Sequence, residues 1–191
     1  KNVIYFVCQT AIRAVALKGP LMNLEKFSFG VGDRFGHQGK AQLEAMMEAK
    51  KLGINVTPVW NKSNREHTIV HTEPGDVRKE ADAATKACGW KESYHVDADH
   101  IGLGNVDKFI AASDFFTLDV ADFMGKPADE AKVATFVKKY AKYVGSLAIP
   151  GIAHKFDITK DQIEKIAKKV LLAISEAGKI YRKIEAAKGK G

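Results

Sequence analysis

From residue 27 onward, apolar and polar positions alternate between two periods. Residues 27–33 (FSFGVGD) read as a short strand. Residues 37–52 read as a helix with Leu43, Met46 and Met47 on its apolar side and Gly53 as its stop. Residues 55–64 (NVTPVWNKSN) are extended, and Pro74 with Asp76 opens a second helix that runs to Cys88 before Gly89. A third strand over 94–99 leads to a short helix over 105–112, and a fourth strand over 115–120 precedes a helix over 127–143. Strand and helix alternate four times, the order of a parallel sheet with helical crossovers. After Pro150-Gly151 the pattern becomes one long helix, entered by Thr159-Lys-Asp-Gln162 at capping-box spacing. Its apolar residues Ile163, Ile166, Val170, Ile174, Ala177, Tyr181 and Ile184 form a single stripe that needs a partner surface. The first 24 residues start apolar (Val3 to Val7) and turn mixed toward Gly19-Pro20, a pattern that does not separate strand from buried helix.

A doubly wound sheet and a (β/α) barrel share this alternation, and the polar residues choose between them. They gather at the carboxyl end of each predicted strand: Gly32-Asp33-Arg34, Asn61-Lys62-Ser63-Asn64, Asp97-Asp99-His100 and Asp119. A barrel builds its site from many strand ends on that face, whereas a dinucleotide fold concentrates its signature in the first glycine-rich turn. The loop Gly30-Val-Gly-Asp-Arg-Phe-Gly36 matches such a turn only loosely, because Asp33 and Arg34 stand where a phosphate would sit. The fold class expected is therefore α/β: four successive βα units of an incomplete TIM-type (β/α) barrel with a long C-terminal helix. Residues 1–24 form an N-terminal segment, 25–150 the barrel units, and 151–191 the long helix and basic tail. Eight units close such a barrel in roughly 250 residues. Four units, a start without methionine and a lysine-glycine end predict a fragment or a half-barrel. Its open first and fourth strands predict self-association, as a two-fold dimer, or pairing with a missing half, and little or no activity alone.

Composition narrows the function classes. An apolar share of 46% in 191 residues belongs to a globular chain. No apolar run approaches the ~18 residues of a membrane span and no signal sequence opens the chain, which predicts a soluble, cytoplasmic protein. Cys8 and Cys88 lack CxxC spacing, which argues against a zinc ribbon or a redox motif. The net charge of +7 lies largely in Lys138-Lys139, Lys165, Lys168-Lys169 and the tail from Lys183 to Lys190. Without aromatic residues interleaved as a base-stacking platform, this is a solvated helix face and nucleic acid is not an expected partner.

The densest chemistry is Tyr94-His-Val-Asp-Ala-Asp-His100. Strand alternation sends His95, Asp97 and Asp99 to one face. Two buried carboxylates beside an imidazole require compensation, and a divalent cation supplies it; mixed oxygen and nitrogen ligands suit Mn, Fe, Ni, Co or Zn. A hydrogen-bonded network without metal is the competing arrangement. The polar loop Asn61-Lys62-Ser63-Asn64-Arg65-Glu66-His67 offers the donor and acceptor density that a polyhydroxylated substrate needs, with Asp33 on the neighbouring strand end; a surface loop with salt bridges is the competing arrangement. Arg34 and Arg65 are candidate bidentate anchors for a substrate carboxylate.

The succession FSFGVGDRFGHQGKAQL, PVWNKSNREH, HTEPGDVRKEADAA, YHVDADHI and DFFTLDVA, with the helix ending AISEAGKIYRKI, closely resembles the tagaturonate epimerase family. The resemblance implies a (β/α) barrel isomerase that uses a divalent metal to interconvert tagaturonate and fructuronate in hexuronate metabolism. By motif it places metal and catalytic groups on the HVDADH strand, with Asp97, Asp99 and His100 first, and sugar-hydroxyl contacts at Ser63 and Thr117. Family members are longer, and part of their metal and acid/base set lies in later strands. The stereocentre that distinguishes the two keto acids is beta to the ketone, so its C–H is not acidified. Metal-assisted retro-aldol cleavage, rotation and re-addition is the expected route, with hydride transfer as the other. A non-catalytic half-barrel that keeps sugar-acid or metal affinity is the alternative function.

Overall fold

The structure, a computed structural model, describes residues 25–189. The readings of residues 1–24 and of Cys8 lie outside them. Four strands form one sheet: β1 (Ser28–Gly32), β2 (Thr57–Ser63), β3 (His95–Ile101) and β4 (Phe115–Leu118). All three pairings are parallel and the order is β1-β2-β3-β4. The strand order never reverses among these four, so they contain no switch point of the doubly wound kind.

The connections explain that order. Helix α1 (Gly39–Lys51) and helix α3 (Pro74–Cys88) pack on one face of the sheet. Pro74 begins α3 where an amide is not needed, and Gly89, at φ 63, ends it in the left-handed conformation that a side chain would strain. Leu43, Met46, Val77, Ala81 and Ala84 meet Val31, Trp60 and Val96 from alternate strand positions in one core. Trp60 is 2% exposed; its indole donates to Gln42 Oε1 at 3.1 Å, and the Gln42 amide donates to Gly32 O at 3.1 Å. Truncating such a residue costs about 3–5 kcal/mol. Gly39 lets α1 approach α3 closely: its amide donates to Glu80 Oε1 at 3.0 Å, where an added Cβ would stand 2.8 Å from that oxygen.

Three elements differ from the sequence expectation. Residues 64–70 form helix α2 (Asn64–Val70) where a polar loop was expected. The Ser63 hydroxyl accepts from the Glu66 amide and the Glu66 carboxylate accepts from the Ser63 amide, so S-N-R-E is a capping box. The helix expected over 105–112 is a single 3-10 turn, Val106–Lys108, among other turns; Gly102 and Gly104 precede it, and the Gly102 amide is satisfied by Asn105 Oδ1. A small antiparallel hairpin, β5 (Gly145–Leu147) with β6 (Phe156–Ile158), occupies a stretch whose strands are too short to show alternation.

The chain divides into two compact units, one of residues up to Asp119 with those from Lys179 on, the other Val120–Gly178. In the second, helix α4 (Glu130–Tyr140) is capped by Asp129, and its Val133 and Val137 bury against Ile163 and Ala167 of helix α5 (Lys160–Lys188). The Thr159–Gln162 capping box opens α5 as its spacing predicts. The buried stripe of α5 is Ile163, Ala167, Ala173, Ala177, Ile180 and Ile184, while Ile166 and Ile174 are exposed. Ala177 belongs to the expected stripe, whereas Ala167 and Ala173, also buried, do not. Aromatic rings do accompany lysines here, contrary to expectation. Lys139 covers Tyr140 and Lys142 covers Tyr143, within a run where Tyr140 and Tyr143 also stack. Among the described residues no helix is long and apolar enough to cross a membrane.

Candidate functional site

Register brings the polar residues into rows. Gly32, Asn61, Asp97 and Phe115 are successive partners across the four strands, and Ser63 pairs with Asp99 two residues further along. Trp60 and Val96 belong to the helix-side core, so Asn61, Asp97 and Asp99 occupy the opposite face. Gly32 makes room there, since a Cβ at that position would stand 3.1 Å from Asn61 Oδ1.

Asp97 is 5% exposed. Its Oδ2 accepts a 2.8 Å bond from the Thr117 hydroxyl, while Oδ1 is buried with no hydrogen-bond partner. Burial pushes its carboxyl up to about 7; the Thr117 bond pulls the other way, and the charge of Asp99 adds to the rise. Asn61 Oδ1 is a second buried acceptor without a partner on the same face. Burial also raises Asp99, opposed by His100 and reinforced by the charge of Glu66.

Beyond Ala98 the pairing of β3 with β4 slips: Ala98 opposes Phe116, and Ile101 opposes Leu118. Three steps on β3 thus match two on β4, and His100 absorbs the extra residue with φ at 52. The bulge turns the imidazole outward between two carboxylates, Nε2 lying 3.8 Å from Asp99 Oδ2 and Nδ1 3.5 Å from Asp119 Oδ2. The ring is exposed beside both carboxylates at the end of the strand.

Other predicted residues have different work. His95 does not join Asp97 and Asp99 as a ligand set. Four residues along a strand separate Cα atoms by about 13 Å, too far for one ion to span. His95 Nε2 instead lies 3.2 Å from Glu25 Oε2, and Nδ1 lies 3.8 Å from Asp114 Oδ1. Among the described residues no group of three or more His, Cys, Asp or Glu side chains is gathered as metal ligands. Asp33 organises its own loop, accepting from the amides of Phe35, His37 and Gln38 at 3.0, 2.6 and 2.6 Å. Burial pushes its carboxyl up, but those amide bonds prevail and hold it below the usual range. The Ser63 hydroxyl serves the cap of α2, and Asn64 is the first residue of that helix. Thr117 donates to Asp97. Arg34 Nε lies 3.7 Å from Glu66 Oε1, and Arg65 is exposed on α2. Lys62 is 2% exposed, with its ammonium 3.5 Å from Thr72 Oγ1. Sequence reading gave Thr72 no role, and the S-x-x-E spacing would have shown Glu66 as the partner of the Ser63 cap.

A parallel sheet with carboxylates, an imidazole and hydroxyls at its carboxyl ends defines an α/β protein with a cluster of polar, titratable side chains on one rim of its sheet. A family model described as tagaturonate epimerase matches residues 9–190, so the chain belongs to the tagaturonate epimerase family. The fold is similar to crystal structures of fructuronate-tagaturonate epimerase UxaE from Cohnella laeviribosi. A form with one glycerol is 20% identical at a TM-score of 0.65, covering 85% of this chain and 35% of that one. The native form is 21% identical with the same TM-score and coverage. This chain therefore spans about a third of the length of the solved proteins it matches. No curated protein matches it in sequence.

Proposed function

We propose that this chain contributes the strand-end centre of a keto-hexuronate epimerase that interconverts tagaturonate and fructuronate, an isomerase of the 5.1.2 type. The single observation that carries this reading is the pair Asp99–His100 on the bulge of β3, beside buried Asp97, in a chain of this family. The four units are read as consecutive units of a (β/α) barrel, in keeping with the unreversed strand order.

In the proposed retro-aldol route a base removes the proton of the hydroxyl beta to the ketone, and the bond between the alpha and beta carbons breaks. After the aldehyde fragment turns over, the bond re-forms and the hydroxyl is reprotonated with inverted configuration. His100 takes and returns that proton, oriented by Asp119 on one side and Asp99 on the other. The Thr117 hydroxyl donates to Asp97 Oδ2 and fixes its rotamer, and a cation bound beside Asp97 would hold its carboxyl ionised. The buried acceptors Asp97 Oδ1 and Asn61 Oδ1, which lack donors, suit a divalent cation held by Asp97 and Asp99, with further ligands from outside this chain. When bound, such a cation stabilises the enediolate charge as a Lewis acid.

Elemental analysis tests the metal assignment. Wild-type protein exposed to Mn or Ni and then desalted is expected to retain the ion, and Asp99→Ala is expected to lose most of it. Equal metal in both would remove the carboxylates from that role.

A further inference from the structure

We propose that Lys62 and His67 form a binding site for a small-molecule carboxylate, lodged between the β1–α1 turn and the α2–α3 loop. On the epimerase reading, on which this assignment of ligand rests, the carboxylate is that of the keto-hexuronate.

Lys62 stands near the end of β2 on the face opposite Asn61, and its side chain is 2% exposed. A desolvated ammonium normally has a carboxylate beside it. Lys62 has no ion pair among the described residues, and its one hydrogen-bond contact is Thr72 Oγ1 at the long distance of 3.5 Å. Thr72 Oγ1 is also 2.9 Å from His67 Nδ1. The ammonium can only donate, so the hydroxyl accepts from it and turns its own proton to Nδ1. That assignment leaves the hydrogen of His67 on Nε2. His67 is 5% exposed, and Nε2 is buried with no partner. Burial, then the charge of Lys62, holds the imidazole below its ordinary pKa, so it stays neutral near pH 7. Two buried donors tied to one hydroxyl therefore lack an acceptor, and a carboxylate offers two acceptor oxygens and the missing charge.

The surrounding backbone suits a ligand. An added Cβ on Gly36, at φ 69, would stand 3.7 Å from Lys62 Nζ, so the turn passes over the ammonium with no side chain between them. Of the two guanidiniums that sequence reading assigned to the carboxylate, Arg34 faces Glu66 and Arg65 is exposed on α2.

Thermal unfolding of the full chain in sodium acetate, sodium chloride and sodium phosphate at matched ionic strength tests the proposal without any turnover. Its failure and the failure of the epimerase reading are thus separate results. Acetate is expected to raise the wild-type midpoint saturably, by about 3–6 °C at ten times its Kd. In Lys62→Met and His67→Gln the acetate response should vanish. Without anion, Lys62→Met should unfold no lower than wild type, because it removes an unpaired buried charge. A lysine whose role is only structural would lower the midpoint instead. An acetate response that persists in both variants would overturn the proposal, as would a response matched by chloride and phosphate or a marked loss of stability in anion-free Lys62→Met.

Discussion

Asp97 joins the fold to its chemistry in a way that titration can read. Burial holds its folded pKa at about 7, above the ordinary 3.8 of an aspartate, so the native state binds this proton more tightly than the unfolded chain. Its contribution to stability is complete below about pH 4 and is lost as pH rises toward 7, a decline of up to roughly 4 kcal/mol in metal-free protein. Asp97→Asn should flatten that part of the stability curve, as measured by urea unfolding across pH. Asp33 and Glu66 have the opposite sign: their lowered values mean stability that is lost as pH falls through the acid range. His100 carries a second residue-scale prediction. Its positive φ favours glycine, so His100→Gly should stabilise by about 0.5–1 kcal/mol while lowering epimerisation about 100-fold or more. Denaturation and turnover measured on the same sample separate the two effects.

At the scale of elements, caps and breakers were the readable signals. Pro74 and Gly89 bracket α3, and Thr159 with Gln162 starts α5, as expected from spacing alone. The same motif at Ser63 and Glu66 was hidden inside a run of polar residues that also suits a substrate loop, so α2 went unseen. Ser63→Ala should cost about 1 kcal/mol, since the cap secures a helix of only seven residues. The shift in denaturation midpoint checks it. The rows of the site were partly legible because strand period 2 puts Asp97 and Asp99 on one face. That period fixes direction and not distance, so it grouped His95 with them although His95 lies a further step away, beside Glu25. The bulge at His100 has no sequence signature of its own, because a histidine at positive φ is dictated by pairing with β4.

At the scale of the whole molecule, β1 and β4 end the four-stranded sheet among the described residues, and Phe27 and Phe29 beside the β1 edge are each 57% exposed. Such an edge pairs readily with other chains. Light scattering over a dilution series should show concentration-dependent association, and a monomer at every concentration would contradict it. The most direct measurement is NMR of tagaturonate incubated with this chain and Mn or Ni, for wild type beside Asp99→Asn. Weak but measurable conversion to fructuronate that disappears in the variant is the result predicted for a strand-end acid–base centre. Conversion at the same rate in both proteins would contradict the assignment of that chemistry to this site.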